Sequence, residues 1–258
     1  MNKWKMKATA AAAVLAVMTL AGCDAQGGKD LDTDGLSGDD TGLFPNDGTD
    51  PNTTTTITEG TTALSGNFIC EGGIRALTTG ATTEVATGGL VGGPLTLLLN
   101  ALGGDTVTQL TNSVSEPDNV IDNKLSTFAT YSLTLGLLAI IDSVDLLVHA
   151  DQSIQPGNFA VFAVRFPKAT LELSLINSVT VSTFLGDTAQ ESISYSKSDL
   201  DLLGLGEEAK LFIGVKATKA FDTASISLTP AVLSANVGEA MYVHELCTKG
   251  RFVAAPSP

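Results

Sequence analysis

Apolar and polar residues alternate one by one through much of the second half of the chain, and a period of two suits a strand with one buried face rather than a helix. Leu171, Leu173 and Leu175 alternate with Thr170, Glu172 and Ser174, and Val179 and Val181 with Ser178, Thr180 and Ser182. The pattern returns at Ile193 and Tyr195, at Leu211, Ile213 and Val215, and at Ala224, Ile226 and Leu228. Turn signals separate the runs at Gly186-Asp187, Gly204, Gly206, Asp222 and Pro230. Short strands at such spacing predict an all-β domain, a single antiparallel β-sandwich. Gly157 to Phe166 is apolar on both alternating faces apart from Arg165. It should be a central strand covered on both sides, with Arg165 near its end. Leu137 to Val148 leans toward strand through Ile140, Ile141, Val144 and Val148. Gly88 to Gly104 fits a short helix as well as a strand, and its glycines weaken either.

The N-terminus is of another kind. Lys3, Lys5 and Lys7 precede an uncharged run from Ala8 to Leu20. This is the charged-then-apolar order of a secretory signal, and the run is shorter than the roughly 20 residues that span a bilayer. It ends in Leu20-Ala21-Gly22-Cys23, which resembles the lipobox of bacterial lipoproteins. The resemblance implies that residues 1–22 are removed and that the Cys23 thiol carries a diacylglyceryl group, with a further acyl chain on the freed amine. More than one acyl chain is what stable anchoring requires. The expected location is therefore the bacterial envelope, lipid-anchored to a membrane. Asp24 after the cysteine resembles the inner-membrane retention signal of some Gram-negative bacteria, a rule that varies between lineages, so inner and outer membrane both stay open.

Removal of the signal takes three of the 14 basic side chains and none of the 28 acidic ones, leaving 11 against 28, a net charge of −17. Such a surface repels phosphates, and no Lys/Arg cluster counters it, which excludes nucleic acid as a partner. From Cys23 to Thr62 the chain is rich in Asp, Gly and Thr with almost no apolar periodicity, so it is read as a disordered tether ahead of a domain over 63–258. A flexible coil of about 40 residues spans roughly 35 Å, and self-repulsion lengthens it. Within it Asp30, Asp32, Asp34 and Gly35 open like an EF-hand calcium loop, but Thr41 stands where the bidentate glutamate belongs.

With Cys23 acylated, Cys70 and Cys247 are left at the two ends of the domain. An even pair in an exported chain suggests a disulfide; two buried thiols are the alternative. Asn112 to Thr130, NSVSEPDNVIDNKLSTFAT, resembles the opening of discoidin-like, galactose-binding-like sandwiches, with Val120, Asp122, Asn123 and Thr127 in the matching places. That likeness implies a sandwich of jelly-roll or immunoglobulin-like kind. It also implies a structural calcium held by Asp122 and Thr127 with a late carboxylate, Glu245 or Glu239. The plain alternative is a capped turn in which Asp122 bonds nearby amides.

His149 and His244 stand in strand-like runs, and no G-x-S-x-G, H-E-x-x-H or phosphate-cradling glycine motif accompanies either. His149 with Asp151 could begin a metal site but is too small a set. Asp142 with Asp145 and Asp199 with Asp201 read as solvated strand ends. Trp4 leaves with the signal, so Tyr131, Tyr195 and Tyr242 are the remaining candidates for sugar contact, each also a plausible core residue. The expected function is a membrane-anchored, non-catalytic binding or structural module with an unknown protein or glycan partner. The alternative is a hydrolase or a carbohydrate-binding protein acting on envelope or extracellular polymer. Replacement of Cys23 by Ser should move the protein from the membrane to the soluble fraction; retention on membranes without detergent would overturn the lipoprotein reading.

Overall fold

The computed structural model describes residues 55–64, 66–87, 113–133, 142–167, 176–202, 210–231 and 238–253. Cys23, the signal, the D-x-D-x-D-G stretch, the run at 171–175 and Gly88 to Gly104 lie outside them. Among the described residues no helix is long and apolar enough to cross a membrane.

Thirteen strands are described: β1 (Thr55–Glu59), β2 (Thr62–Leu64), β3 (Asn67–Gly73), β4 (Thr82–Thr87), β5 (Val114–Ser115), β6 (Ala129–Leu133), β7 (Val144–Ile154), β8 (Phe159–Arg165), β9 (Ile176–Leu185), β10 (Thr188–Ser196), β11 (Leu211–Lys216), β12 (Phe221–Pro230) and β13 (Gly238–Val253). Helix α1 covers Lys197–Leu202, and single 3-10 turns cover Ile74–Ala76 and Pro117–Ile121. One sheet has the order β2-β1-β11-β8-β13-β6-β5, with β3 also paired to β13; the other has the order β10-β9-β12-β7-β4. The all-β sandwich expected from the alternation is the observed fold.

Residues that alternate in sequence divide between its faces. Val179 and Val181 of β9, Ile213 of β11 and Ile226 of β12 are buried between the sheets, while Thr180 and Ser182 face outward and donate or accept across to Ser194 and Ser192 of β10 at 3.0 and 2.9 Å. Gly186 and Asp187 form the two-residue loop between β9 and β10, and Gly186 has φ 56°, the left-handed conformation such hairpins require. Asp222, expected in a turn, instead lies within β12 at a register shift, where both its carboxylate oxygens accept the Gly186 N–H at 3.1 and 2.9 Å.

β8 is central as expected, between β11 and β13, with Arg165 as its last residue. Its two faces serve two clusters. Ala160, Phe162 and Val164 join the core between the sheets. Phe159, Val161 and Ala163 join a second cluster on the outer face of the first sheet, with Ile57, Phe68, Phe212, Cys70 and Cys247. Phe68 anchors that cluster, its ring centroid 5.0 Å from Phe159 and 5.4 Å from Phe212. Cys70 and Cys247 are joined in a disulfide, with 5.7 Å between Cα atoms and a sequence separation of 177. Of the two alternatives the bridge is the one observed.

Two expectations are corrected. The domain does not begin at 63: Thr55–Glu59 is strand, and Ile57 is fully buried in the second cluster. Its composition is that of the tether, but Ile57 flanked by β-favouring threonines finds its partner, Gly214, 157 residues later, which local composition cannot report. That pairing is also parallel, Ile57 opposite Gly214, so the sandwich is not wholly antiparallel. The buried hydroxyl of Tyr195 holds the arrangement by donating to Thr56 O at 2.6 Å and accepting the Gly214 N–H at 3.0 Å.

Candidate functional site

Strand β13 carries an extra residue. Val243 lies opposite Val164 and Glu245 opposite Ala163, so His244 is the residue added at a bulge. In an unbroken strand Glu245 would share the inward side with Val243. After the bulge it shares the outer side with Cys247, while Leu246 points into the core between the sheets.

There Glu245 meets the segment that follows the 3-10 turn at Pro117–Ile121. Its Oε2 accepts the N–H of Asn123 at 2.9 Å. Asn123 has φ 68°, a left-handed conformation that Asn tolerates better than most residues, and its Oδ1 accepts the Gly73 N–H at 3.2 Å. Asp122 closes the turn: Oδ1 accepts the Lys124 N–H at 3.0 Å and Oδ2 accepts the Thr127 hydroxyl at 2.8 Å. Gly73 is required by close approach, since a Cβ there would stand 2.1 Å from Glu245 Oε1. The Glu245 carboxyl is fully buried, and Oε1 has no hydrogen-bond partner. Burial first, and Asp122 in addition, push it up to about 9, against the opposing pull of the Asn123 and Lys124 amides and of Arg75.

Asp122, Thr127 and Glu245 are thus gathered at one turn, and Glu239 is not among them. The oxygens suit calcium, which accepts carboxylate, hydroxyl and carbonyl ligands from separated elements. Both Asp122 oxygens already serve the turn, and among the described residues no three His, Cys, Asp or Glu side chains converge. Thr127 and main-chain oxygens would have to complete the shell.

On the same outer face, one register step along, lies a second group. Arg165 pairs with Tyr242, and Tyr242 with Thr130. The Arg165 guanidinium sits 4.6 Å from the Tyr242 ring centroid and 5.6 Å from that of Phe128, within cation–π range of both. Phe128 and Tyr242 are 4.9 Å apart, and Phe128 contacts His244 edge-on at 5.3 Å. The Tyr242 hydroxyl donates to Glu239 in a short hydrogen bond, and that bond first, then burial, raises the phenol above its usual range. Arg165, Phe128 and Tyr242 are all half-exposed, whereas His244 is 3% exposed. Burial, with Lys210 and Arg165 nearby, pushes the imidazole down to about 4, although the Leu125 and Thr127 carbonyls approach it.

Buried polar atoms without an aligned partner are uncommon and cost about 1–3 kcal/mol each. Six are found among the described residues, and four belong to Arg165 Nε, both ring nitrogens of His244 and Glu245 Oε1. That concentration marks this end of the outer face as the candidate site.

The other candidates fall elsewhere. Tyr131 and Tyr195 are core residues, their hydroxyls bonded to backbone. Asp199, in the first turn of α1, accepts the Ser196 N–H at 2.8 Å, which is a helix-capping role. His149 bonds Glu84 at 3.2 Å and Thr223 at 3.1 Å rather than Asp151. That line has the order hydroxyl, imidazole, carboxylate, but Thr223 is 5% exposed and its hydroxyl also donates to Asp222. A nucleophile so shielded and already committed is poorly placed for attack. Arg165 had been visible in sequence as the one charge in an apolar strand; Phe128 and His244 had no signal of their own.

No protein family and no curated protein matches the chain. Among solved structures it is similar to the family 32 carbohydrate-binding module of NanJ from C. perfringens, in complex with galactose, at 9% identity and TM-score 0.34, covering 64% of this chain and 90% of that one. A Ruminococcus gnavus family 29 fucosidase in complex with fucose overlaps at 17% identity and TM-score 0.36, over 72% of this chain and 28% of the enzyme. A family 32 module from a family 31 glycoside hydrolase of Clostridium perfringens overlaps at 12% identity and TM-score 0.31, over 52% of this chain and 82% of that one. Overlaps this loose carry no argument about the site, and the sandwich rests on the chain's own strand pairing.

Burial of Glu245 fixes a pH dependence. An acid raised to about 9 on folding from about 4.5 unfolded keeps its proton longer in the native state. Stability should therefore be highest below the unfolded value and decline as pH rises through that window, in the presence of chelator. Glu245→Gln, which keeps an acceptor for Asn123, should flatten the decline and melt higher than the parent at pH 8. Equal pH slopes in the two proteins would show that Glu245 titrates normally.

Proposed function

We propose that this protein is a lipid-anchored, non-catalytic binding module that holds a glycan on the outer face of its first sheet. The observation that carries the reading is the half-exposed Arg165, Tyr242 and Phe128 group, with Glu239 and the buried His244 beside it. Saccharides are bound by flat apolar surface together with charged side chains that accept or donate to hydroxyls, and this group supplies both. Cys23 would fix the module to a membrane, and the acidic tether would set its distance from it. Binding of immobilised saccharides by the detergent-solubilised mature protein tests the assignment. Arg165→Ala and Tyr242→Ala should each lower retention at least tenfold with melting temperature little changed. Failure to retain any saccharide, or equal retention by the variants, would refute it.

A structural calcium belongs to the same reading. Asp122, Thr127 and Glu245 would hold it, and the ion would supply the positive charge that the buried carboxyl lacks. It would brace the turn that carries Phe128. In the full chain with Asp30, Asp32 and Asp34 changed to Asn, so that the tether cannot contribute, calcium should raise the melting temperature; a hundredfold excess over Kd corresponds to about 2.7 kcal/mol. Asp122→Ala should abolish the rise. A melting temperature indifferent to millimolar calcium would leave Asp122 as a turn residue alone.

A further inference from the structure

We infer that the saccharide taken at Arg165 is one bearing a carboxylate, of the hexuronic acid class. This rests on the glycan reading above and specifies it.

The guanidinium is oriented before any ligand arrives, because Tyr242 and Phe128 hold it from two rings. A guanidinium carries parallel N–H donors along its edge. That edge matches a carboxylate in two-point fashion and a sugar hydroxyl less well. Arg165 is half-exposed although its Nε is buried, so the outer end of the guanidinium is the part a ligand carboxylate can reach. His244, 3% exposed, is packed behind Phe128 and backs that ring. Lys210 lies close enough to act on His244 electrostatically. Glu239, held by the Tyr242 hydroxyl, is the acidic group at the rim; it is placed to accept from sugar hydroxyls and to repel a second acid.

Net charge narrows the ligand further. With 28 acidic side chains against 14 basic ones in the whole chain, long-range attraction works against polyanions. Affinity must therefore come from contact geometry at one guanidinium, which favours a single acidic unit, terminal or isolated within a neutral glycan, over a continuous polyuronate.

Wild-type mature protein is titrated calorimetrically with glucuronic acid, galacturonic acid, their neutral amides, glucose and galactose. At least one uronate should bind ten times or more tightly than its own amide, and the preference should shrink as salt is raised. Arg165→Lys, which keeps the charge and loses the fork, should remove most of the preference. Because the amide comparison uses the unaltered protein, misfolding of a variant cannot rescue the inference. Equal binding of uronate, amide and hexose would overturn the carboxylate assignment and leave the glycan reading intact. An Arg165→Lys protein that keeps the full preference would also overturn it. Binding of none of the sugars here, with retention of a neutral oligosaccharide in the immobilised assay, would sink the inference alone; no saccharide in either assay would sink both.

Discussion

One inserted residue in β13 sets the chemistry of the first sheet. Strand side chains alternate with period two, so a single added residue exchanges the faces of everything beyond it. The bulge at His244 leaves Val243 in the core between the sheets yet turns Glu245 and Cys247 outward. An unbroken strand would drive the Glu245 carboxyl between Val164 and its neighbours in that core, where nothing could satisfy it. Outward, Cys247 reaches Cys70, and Glu245 reaches the Asn123 amide.

The outer face is consequently built in three steps along one strand. Cys247 lies in an apolar cluster with Phe68, Phe159 and Phe212; Glu245 ties down the Asp122 turn; Tyr242 pairs with Arg165. Each step supports the next. The disulfide and the aromatic cluster hold the end of β3, whose Gly73 donates to Asn123; the turn so fixed presents Phe128 to Arg165. The buried carboxyl and imidazole at this end cost stability that the apolar clusters supply, the usual relation between a rigid scaffold and a binding site.

The tether boundary shows where local reading stops. Thr55 to Glu59 looks like its acidic, threonine-rich surroundings, and only Ile57 interrupts them. The segment is a strand held where the Tyr195 hydroxyl donates to Thr56 O and accepts the Gly214 N–H. Three parts of the chain far apart in sequence must meet before any of them signals structure.

What the sequence determined by itself was whatever depends on neighbours along the chain. The alternation of Val179 with Thr180 or of Ile226 with Ser227 needs no partner to be read, and it implied strands and a sandwich. The position of Arg165 at the end of an apolar strand was legible for the same reason, as was the Asp122 to Thr127 turn, whose hydrogen bonds span only a few residues. Tertiary structure decided what depends on register. A bulge leaves no mark on composition, so neither the outward turn of Glu245 nor its burial against Gly73 could be anticipated, and the contact of Phe128 with Tyr242 joins segments that only sheet pairing brings together. Alternation reports which residues share a face; which face meets which partner is settled by pairing between distant strands, where one residue more or less reverses the answer.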